Sequence, residues 1–257
     1  MTLTLVTVGT GTVAPSATRT GPAHWVERGD VRLLMDCGAG AIHRLAQFGL
    51  RWDKVSHVAL THFHPDHFGE LPALLFALRH ATKRVEPLVI LGPAGTVRLL
   101  KGLADGFGAW VLDPGYPIGI LDVQAGEPFP LSPDVMLEVH ATPHTAESVA
   151  LSVTAPEGRV VYTGDTGPSD ALAAWAAGCD LLLAECSVPD DQPVEGHLSP
   201  ATVGQLAAGA KPRRLVLTHL YPPTERLDVK KLVGARFKGP VALAADGDRF
   251  ELGDGRR

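Results

Sequence analysis

Three imidazoles and a carboxylate fall within six residues in the run Thr61-His62-Phe63-His64-Pro65-Asp66-His67-Phe68-Gly69, just after an apolar segment. His62 and His64 are two apart, so in an extended segment they point to the same side and can grip one ion together. Asp66 and His67 then serve a second ion. Pro65 stops a strand and leaves the ligands on a loop, while Phe68-Gly69-Glu70-Leu71 reads as the start of a helix whose positive end faces the site. A surface loop that happens to be His-rich is the bland alternative. With eleven His in 257 residues, it is a poor account of three His and an Asp at these offsets.

His-x-His-x-Asp-His is the signature of the metallo-β-lactamase superfamily, which this chain resembles, and such a site needs distant ligands. Three candidates occur in order. Pro143-His144-Thr145 follows Val135-Met136-Leu137-Glu138-Val139, Gly164-Asp165-Thr166-Gly167 follows Arg159-Val160-Val161-Tyr162-Thr163, and His219 ends Arg214-Leu215-Val216-Leu217-Thr218. Each lies at the carboxyl end of an apolar, β-branched-rich stretch, and strand ends that converge on one rim bring distant residues into one pocket.

The resemblance extends to the ribonuclease Z-like branch. It is carried by Val8-Gly9-Thr10-Gly11-Thr12 with Arg19 nearby, Asp36-Cys37-Gly38, Tyr162-Thr163-Gly164-Asp165-Thr166, Ala184-Glu185-Cys186, Gly196-His197-Leu198-Ser199 and Leu217-Thr218-His219, which span nearly the whole chain. It implies phosphodiester hydrolysis, with a first metal held by His62, His64 and His144, a second by Asp66, His67 and His219, and Asp165 bridging them. Two divalent ions about 3.5–4 Å apart would deprotonate a water between them, which makes the bridging hydroxide the expected nucleophile. The resemblance also gives Asp66 the part of general base, and gives Glu185 and His197 jointly the protonation of the leaving alkoxide. Zinc is the expected metal; His and carboxylate sets also accept manganese or iron.

One departure bears on substrate. Bacterial enzymes of that branch that trim tRNA carry a long Gly- and Pro-rich basic arm between the His-rich motif and the third metal-binding His. Here the stretch 93–118 is short and apolar, with Arg98 and Lys101 its only cations. A small or short phosphodiester, such as a cyclic nucleotide, a cyclic phosphate or a short oligonucleotide, is therefore expected ahead of tRNA 3′-end processing. Hydrolysis of a lactone, thioester or aryl sulfate is the alternative on the same site, and a non-catalytic metal-binding protein is another. The latter predicts lost ligands, whereas all seven are present.

The remaining His read as packing residues: His57 and His140 as core residues hydrogen-bonded to backbone, with His140 close to His144, and His24, His43 and His80 as surface or structural. Thr61, Thr163 and Thr218 lie beside ligands and can orient them. Tyr221, just after His219, reads equally as pocket lining or rim packing. Three Cys, at 37, 179 and 186, show no paired spacing, which argues against a disulfide framework or a Cys-rich zinc site; Cys37 and Cys186 receive no role.

The ligand set is shared by both halves of the chain, so residues 1–257 are read as a single domain with a large core. Met1-Thr2-Leu3-Thr4-Leu5-Val6 alternates like a strand and lacks the basic flank of a signal peptide, and no apolar run is long enough to span a bilayer. No membrane association and a cytoplasmic location follow as the expectation. A net charge of −5 argues against tight binding of long nucleic acid. Lys211, Arg213, Arg214, Arg226, Lys230, Lys231, Arg236 and Lys238 gather near His219 in sequence, as a solvated face or as a steering surface for an anion. Oligomeric state stays open, a homodimer included.

Strands are expected at 3–8, 24–28, 31–36, 56–61 and 87–91, with helices at about 39–48, 67–81 and 95–106. Strands return from 118 to 163. Helices at 169–177, 199–209 and 226–235 then alternate with strands at 180–184, 214–218 and 240–244. Sheet, helices, sheet, helices is the order of an α/β chain with two sheets face to face and helices outside, the metallo-β-lactamase αββα sandwich with mixed sheets. Gly9-Thr10-Gly11 and Gly38-Ala39-Gly40 lack the third glycine of a dinucleotide fingerprint and read as tight turns.

Overall fold

The computed structural model describes residues 1–253. Its first sheet is built from β1 (Leu3–Gly9), β2 (Ala23–Arg28), β3 (Val31–Met35), β4 (His57–Ala59), β5 (Leu88–Gly92), β6 (Ile118–Asp122) and β14 (Arg249–Leu252). The second holds β7 (Phe129–Ser132), β8 (Val135–Ala141), β9 (Val149–Ala155), β10 (Gly158–Tyr162), β11 (Leu181–Glu185), β12 (Arg214–Thr218) and β13 (Val241–Leu243). Strand orders are β14-β1-β2-β3-β4-β5-β6 and β13-β12-β11-β10-β9-β8-β7. Both sheets are mixed: β3 to β6 and β10 to β13 run parallel, and the other neighbours pair antiparallel.

Alternation along each strand explains the layers. In β1, Leu3 and Leu5 enter the core between the sheets, whereas Val6 and Val8 face outward under helices. In β11, Leu181 and Leu183 point inward, and Leu182 and Ala184 point out. A strand covered on both faces places apolar side chains on both, which is why the Leu181-Leu182-Leu183-Ala184 stretch of β11 reads as an unbroken hydrophobic run. The first sheet is covered by α1 (Ala41–Gln47), α3 (Leu71–His80) and α4 (Thr96–Phe107). On the second lie α5 (Asp170–Trp175), α6 (Pro200–Ala210) and α8 (Val229–Gly234). The expected sandwich of two mixed sheets with helices on both outer faces is the fold observed.

One expected helix is divided and another is shortened. The stretch 67–81 becomes α2 (Pro65–Phe68) and α3, separated at Gly69-Glu70, so the His-rich motif keeps its own short helix. The helix expected at 226–235 is shortened to α8, whose first turn is capped by Asp228 accepting from Lys231 N at 3.2 Å, and a separate short α7 (Pro222–Glu225), opened by two prolines, precedes it. Strand β14, which closes the first sheet against β1, was not expected from its four residues.

Candidate metal centre

Parallel pairing of β10, β11 and β12 brings their carboxyl ends to one rim, and β3 and β4 do the same in the facing sheet. Asp36 follows β3, the His62–His67 motif follows β4, His144 follows β8, Asp165 follows β10, Glu185 ends β11 and His219 follows β12. The structure thus brings all seven sequence-predicted metal ligands together.

Asp165 lies at the centre. Its Oδ2 is 3.9 Å from His62 Nε2 and 3.8 Å from His144 Nε2, while its Oδ1 is 3.4 Å from His67 Nε2 and 3.6 Å from His219 Nε2. His144 Nε2 is 3.1 Å from His64 Nδ1, and Asp66 Oδ2 is 3.6 Å from His219 Nε2. Two donor groups suited to cations result: His62, His64, His144 and Asp165, and Asp66, His67 and His219. His62 Nε2, His67 Nε2, His219 Nε2 and Asp165 Oδ1 are buried without a hydrogen-bond partner. Orphaned polar atoms are costly in a protein interior, and a pair of cations would satisfy all four, so the residues fit a dinuclear metal site.

The surrounding hydrogen bonds turn four of the five imidazoles toward that centre. His144 Nδ1 donates to Gly196 O at 2.9 Å, and His67 Nδ1 donates to Asp36 Oδ2 at 2.8 Å. His62 Nδ1 lies 3.0 Å from Thr61 Oγ1, whose own proton goes to Asp36. His219 Nδ1 lies 2.9 Å from Ser187 Oγ, which donates to Glu185. A proton fixed on Nδ1 points the Nε2 of all four inward. The backbone supports the same focus: a Cβ at Gly38 would collide with the carbonyl of Asp66.

Asp36 is a site residue that sequence reading passed over, having met it only within Asp36-Cys37-Gly38. It is fully buried, takes φ +58°, and also accepts from Thr61 N at 2.8 Å and Tyr162 Oη at 2.9 Å. A carboxylate closing an apolar strand was the available signal, since burial obliges it to find donors. Ser187, behind His219, carried no such signal.

Glu185 is fully buried and accepts from Thr166 N at 2.6 Å, Leu198 N at 3.2 Å, Ser187 Oγ and His197 Nδ1. It stands behind His197, which falls in a third close group with Asp165 and His219. The Tyr221 ring sits edge-on to His197 and His219, at 6.2 and 5.8 Å between centroids.

Electrostatics in the metal-free site divide the imidazoles. Burial, with help from the charge on His67, pushes His62 far below the ordinary histidine range. Burial also opposes a charge on His67, yet Asp165 and Asp36 outweigh it and hold that imidazole well above the ordinary value. For Asp165 burial works upward, but His219 and His67 keep the carboxyl well below its usual range. His197 is raised: burial opposes its charge, and the hydrogen bond to Glu185 more than offsets that.

Other expectations fare unevenly. His57 bonds Ser56 Oγ at 2.8 Å rather than backbone, and His140 stacks on Trp175 at 5.2 Å. His24 is fully buried, edge-on to Tyr162 at 4.6 Å, and burial lowers its pKa to about 3. Cys37, Cys179 and Cys186 are buried and free. Arg214 opens β12 at the end opposite His219, and Arg213 pairs with Asp180 at 3.3 Å, so these two of the eight cations neighbour the site in sequence only. Between His67 and His144 the chain is taken up by α3, α4 and β5 to β8. Among the described residues no helix is long and apolar enough to cross a membrane.

Residues 31–220 match the sequence family described as the beta-lactamase superfamily domain. An uncharacterized protein of Mycobacterium leprae is 35% identical over 86% of this chain and 78% of its own length. A ribonuclease Z of Mycobacterium bovis is 29% identical over 97% of this chain and 98% of its own. The metallo-β-lactamase fold protein YhfI from Bacillus subtilis superposes with a TM-score of 0.84 at 24% identity, over 97% of this chain and 99% of that one. The fold, the site's position and these matches agree that the chain belongs to the metallo-β-lactamase superfamily, with homology to its ribonuclease Z-like branch.

Proposed function

We propose that this metal-dependent hydrolase is a phosphodiesterase acting on a small or short phosphodiester: a cyclic nucleotide, a cyclic phosphate or a short oligonucleotide. The observation that carries this reading is the Glu185–His197 pair beside the candidate centre. Glu185 holds His197 Nδ1 at 3.2 Å and favours its protonated form, which leaves a proton on the far nitrogen for a departing alkoxide.

His62, His64, His144 and Asp165 would hold one ion, and Asp66, His67, His219 and the other oxygen of Asp165 a second, with zinc the first choice and manganese or iron accepted by the same donors. Divalent ions bound there supply Lewis acidity toward phosphoryl oxygens and lower the pKa of water. Asp66, half-buried at the rim, orients the attacking water and takes its proton. His197 delivers a proton to the leaving oxygen, and Glu185 positions that imidazole. The family kinship with a protein named ribonuclease Z supports phosphodiester chemistry; the net charge of −5 and the absence of a basic arm at 93–118 favour a short substrate.

The test is hydrolysis of bis-p-nitrophenyl phosphate by zinc-reconstituted protein, compared with a lactone and accompanied by a metal count. Turnover of the diester with two metals per chain is expected. Two metals with turnover of the lactone alone would replace this reading with the ester one.

A further inference from the structure

The Gly9-Thr10-Gly11 turn with Arg19 is left without a part in the chemistry above, yet it touches the site at one point. His219 has φ +55°, a left-handed conformation uncommon for a residue other than glycine, and its N–H donates to Thr10 O at 3.1 Å. Thr10 is itself fully buried and held on every side. Its N and Oγ1 donate to Asp246 Oδ1 at 2.9 and 2.7 Å, and its Oγ1 accepts from Arg19 Nη1. The same Arg19 nitrogen donates to Ala244 O at 2.6 Å, and Arg19 Nε pairs with Glu225 at 2.7 Å. The other oxygen of Asp246 accepts from Thr20 N at 2.9 Å and faces Arg44 Nε at 3.4 Å. A Cβ at Gly9 would strike the Gly21 carbonyl, so glycine is required where this loop closes on β1.

Asp246 and Arg19 come from opposite ends of the chain and meet on one threonine whose carbonyl holds a candidate ligand. We infer that both are positioning residues for the second cation: by locking Thr10 they fix the backbone of His219 and so the direction of its Nε2. The inference rests on the assignment of His219 as a metal ligand. Outer partners of metal ligands commonly govern affinity about 10–100-fold, and here the partner acts through backbone, so a similar loss is expected without any change in the ligand side chains.

The experiment is titration of metal-free protein with zinc and with cobalt(II), reading the two stepwise dissociation constants and the visible cobalt spectrum. Asp246→Asn removes the charge that gathers the loop. Arg19→Met spares the bonds between Asp246 and Thr10 and serves if Asp246→Asn does not fold. The control is Arg28→Met, which breaks the buried Arg28–Glu157 pair (2.6 Å) at the start of β10, the far end from Asp165. In Asp246→Asn or Arg19→Met, the second ion is expected to bind at least about tenfold more weakly, with an altered cobalt spectrum for that equivalent and an unchanged first constant. Arg28→Met is expected to lower the melting temperature and leave both constants alone. Fewer than two ions on the unaltered protein would overturn the ligand assignment and this inference with it. Two ions on the unaltered protein, with both constants unchanged in the Asp246 and Arg19 variants, would overturn the inference alone, as would equal weakening of both ions or the same loss in Arg28→Met.

Discussion

His197 presents its Nδ1 to both carboxylate oxygens of Glu185, at 3.2 Å each, and Glu185 has no exposure to solvent. The same carboxylate receives the Ser187 hydroxyl that backs His219. One buried charge therefore steadies both the proposed proton donor and a candidate metal ligand.

Removing the donor should be felt in proportion to the need for its proton. His197→Ala is expected to keep two metals and to slow diesters with alkoxide leaving groups by about 10²–10⁴-fold, while bis-p-nitrophenyl phosphate, whose nitrophenolate leaves unaided, changes little. Rates on the two substrate types check this; an equal loss on both would remove His197 from the acid role. Glu185→Gln should shift the alkaline limb of the rate profile to lower pH, because the hydrogen bond that His197 donates to the Glu185 carboxylate is what raises His197.

Metal binding should expel a proton from His67. In the metal-free protein Asp165 and Asp36 hold this imidazole protonated above the ordinary histidine value, against the effect of burial. A cation needs the neutral ring, so affinity of the second ion should rise with pH until the raised pKa is passed and then level off. The same shift contributes stability to the metal-free fold that is complete below the unfolded histidine value of about 6.5 and is lost as pH rises through the folded one. Calorimetric titration near neutral pH, in buffers of different ionisation enthalpy, should show a proton released with the second ion. Binding that releases none would contradict the assignment.

The parts of this site legible in the sequence are those with a local signal, a spacing or a strand end. His62, His64, Asp66 and His67 declare themselves by spacing, and His144, Asp165 and His219 by standing at strand ends, because in parallel strands the ends must share a rim. Asp36 and Ser187 act through hydrogen bonds to residues 31 and 32 positions away, and no local pattern records such a partner. The division of the 67–81 helix has a similar cause. Cys37 N and O bond His67 O and Glu70 N, a contact across the fold that interrupts the helix at Gly69. β14 escaped notice because only Phe250 and Leu252 of its four residues are buried.

Asp36 offers a direct test of that hidden layer. Its replacement by Ala strips the acceptor from Thr61 N, Tyr162 Oη and His67 Nδ1, all buried. At roughly 1–3 kcal/mol for each buried group left unsatisfied, a loss on the order of 3 kcal/mol or more is expected in urea unfolding of the metal-free protein. Asp36→Asn keeps an acceptor oxygen and should recover part of that loss. Both should weaken the second ion about 10–100-fold, since His67 loses the charged partner that orients it. Unchanged zinc titration in Asp36→Ala would show that packing alone orients His67.

His64 separates metal binding from stability in the opposite way. It is the exposed member of the first donor group, and its hydrogen bond within the site is to His144, another candidate ligand. Deleting an exposed side chain of this kind should change the stability of the metal-free protein by no more than about 0.5 kcal/mol. His64→Ala should nevertheless lose metal and activity together, because the three remaining donors of that group include Asp165, which is shared with the second. Loss of one ion leaves Asp165 with an uncompensated oxygen and loosens the other site as well. A metal count on His64→Ala beside its unfolding curve decides the matter: two metals retained per chain would mean that His64 is not a ligand, and a destabilised metal-free protein would mean that its part is structural.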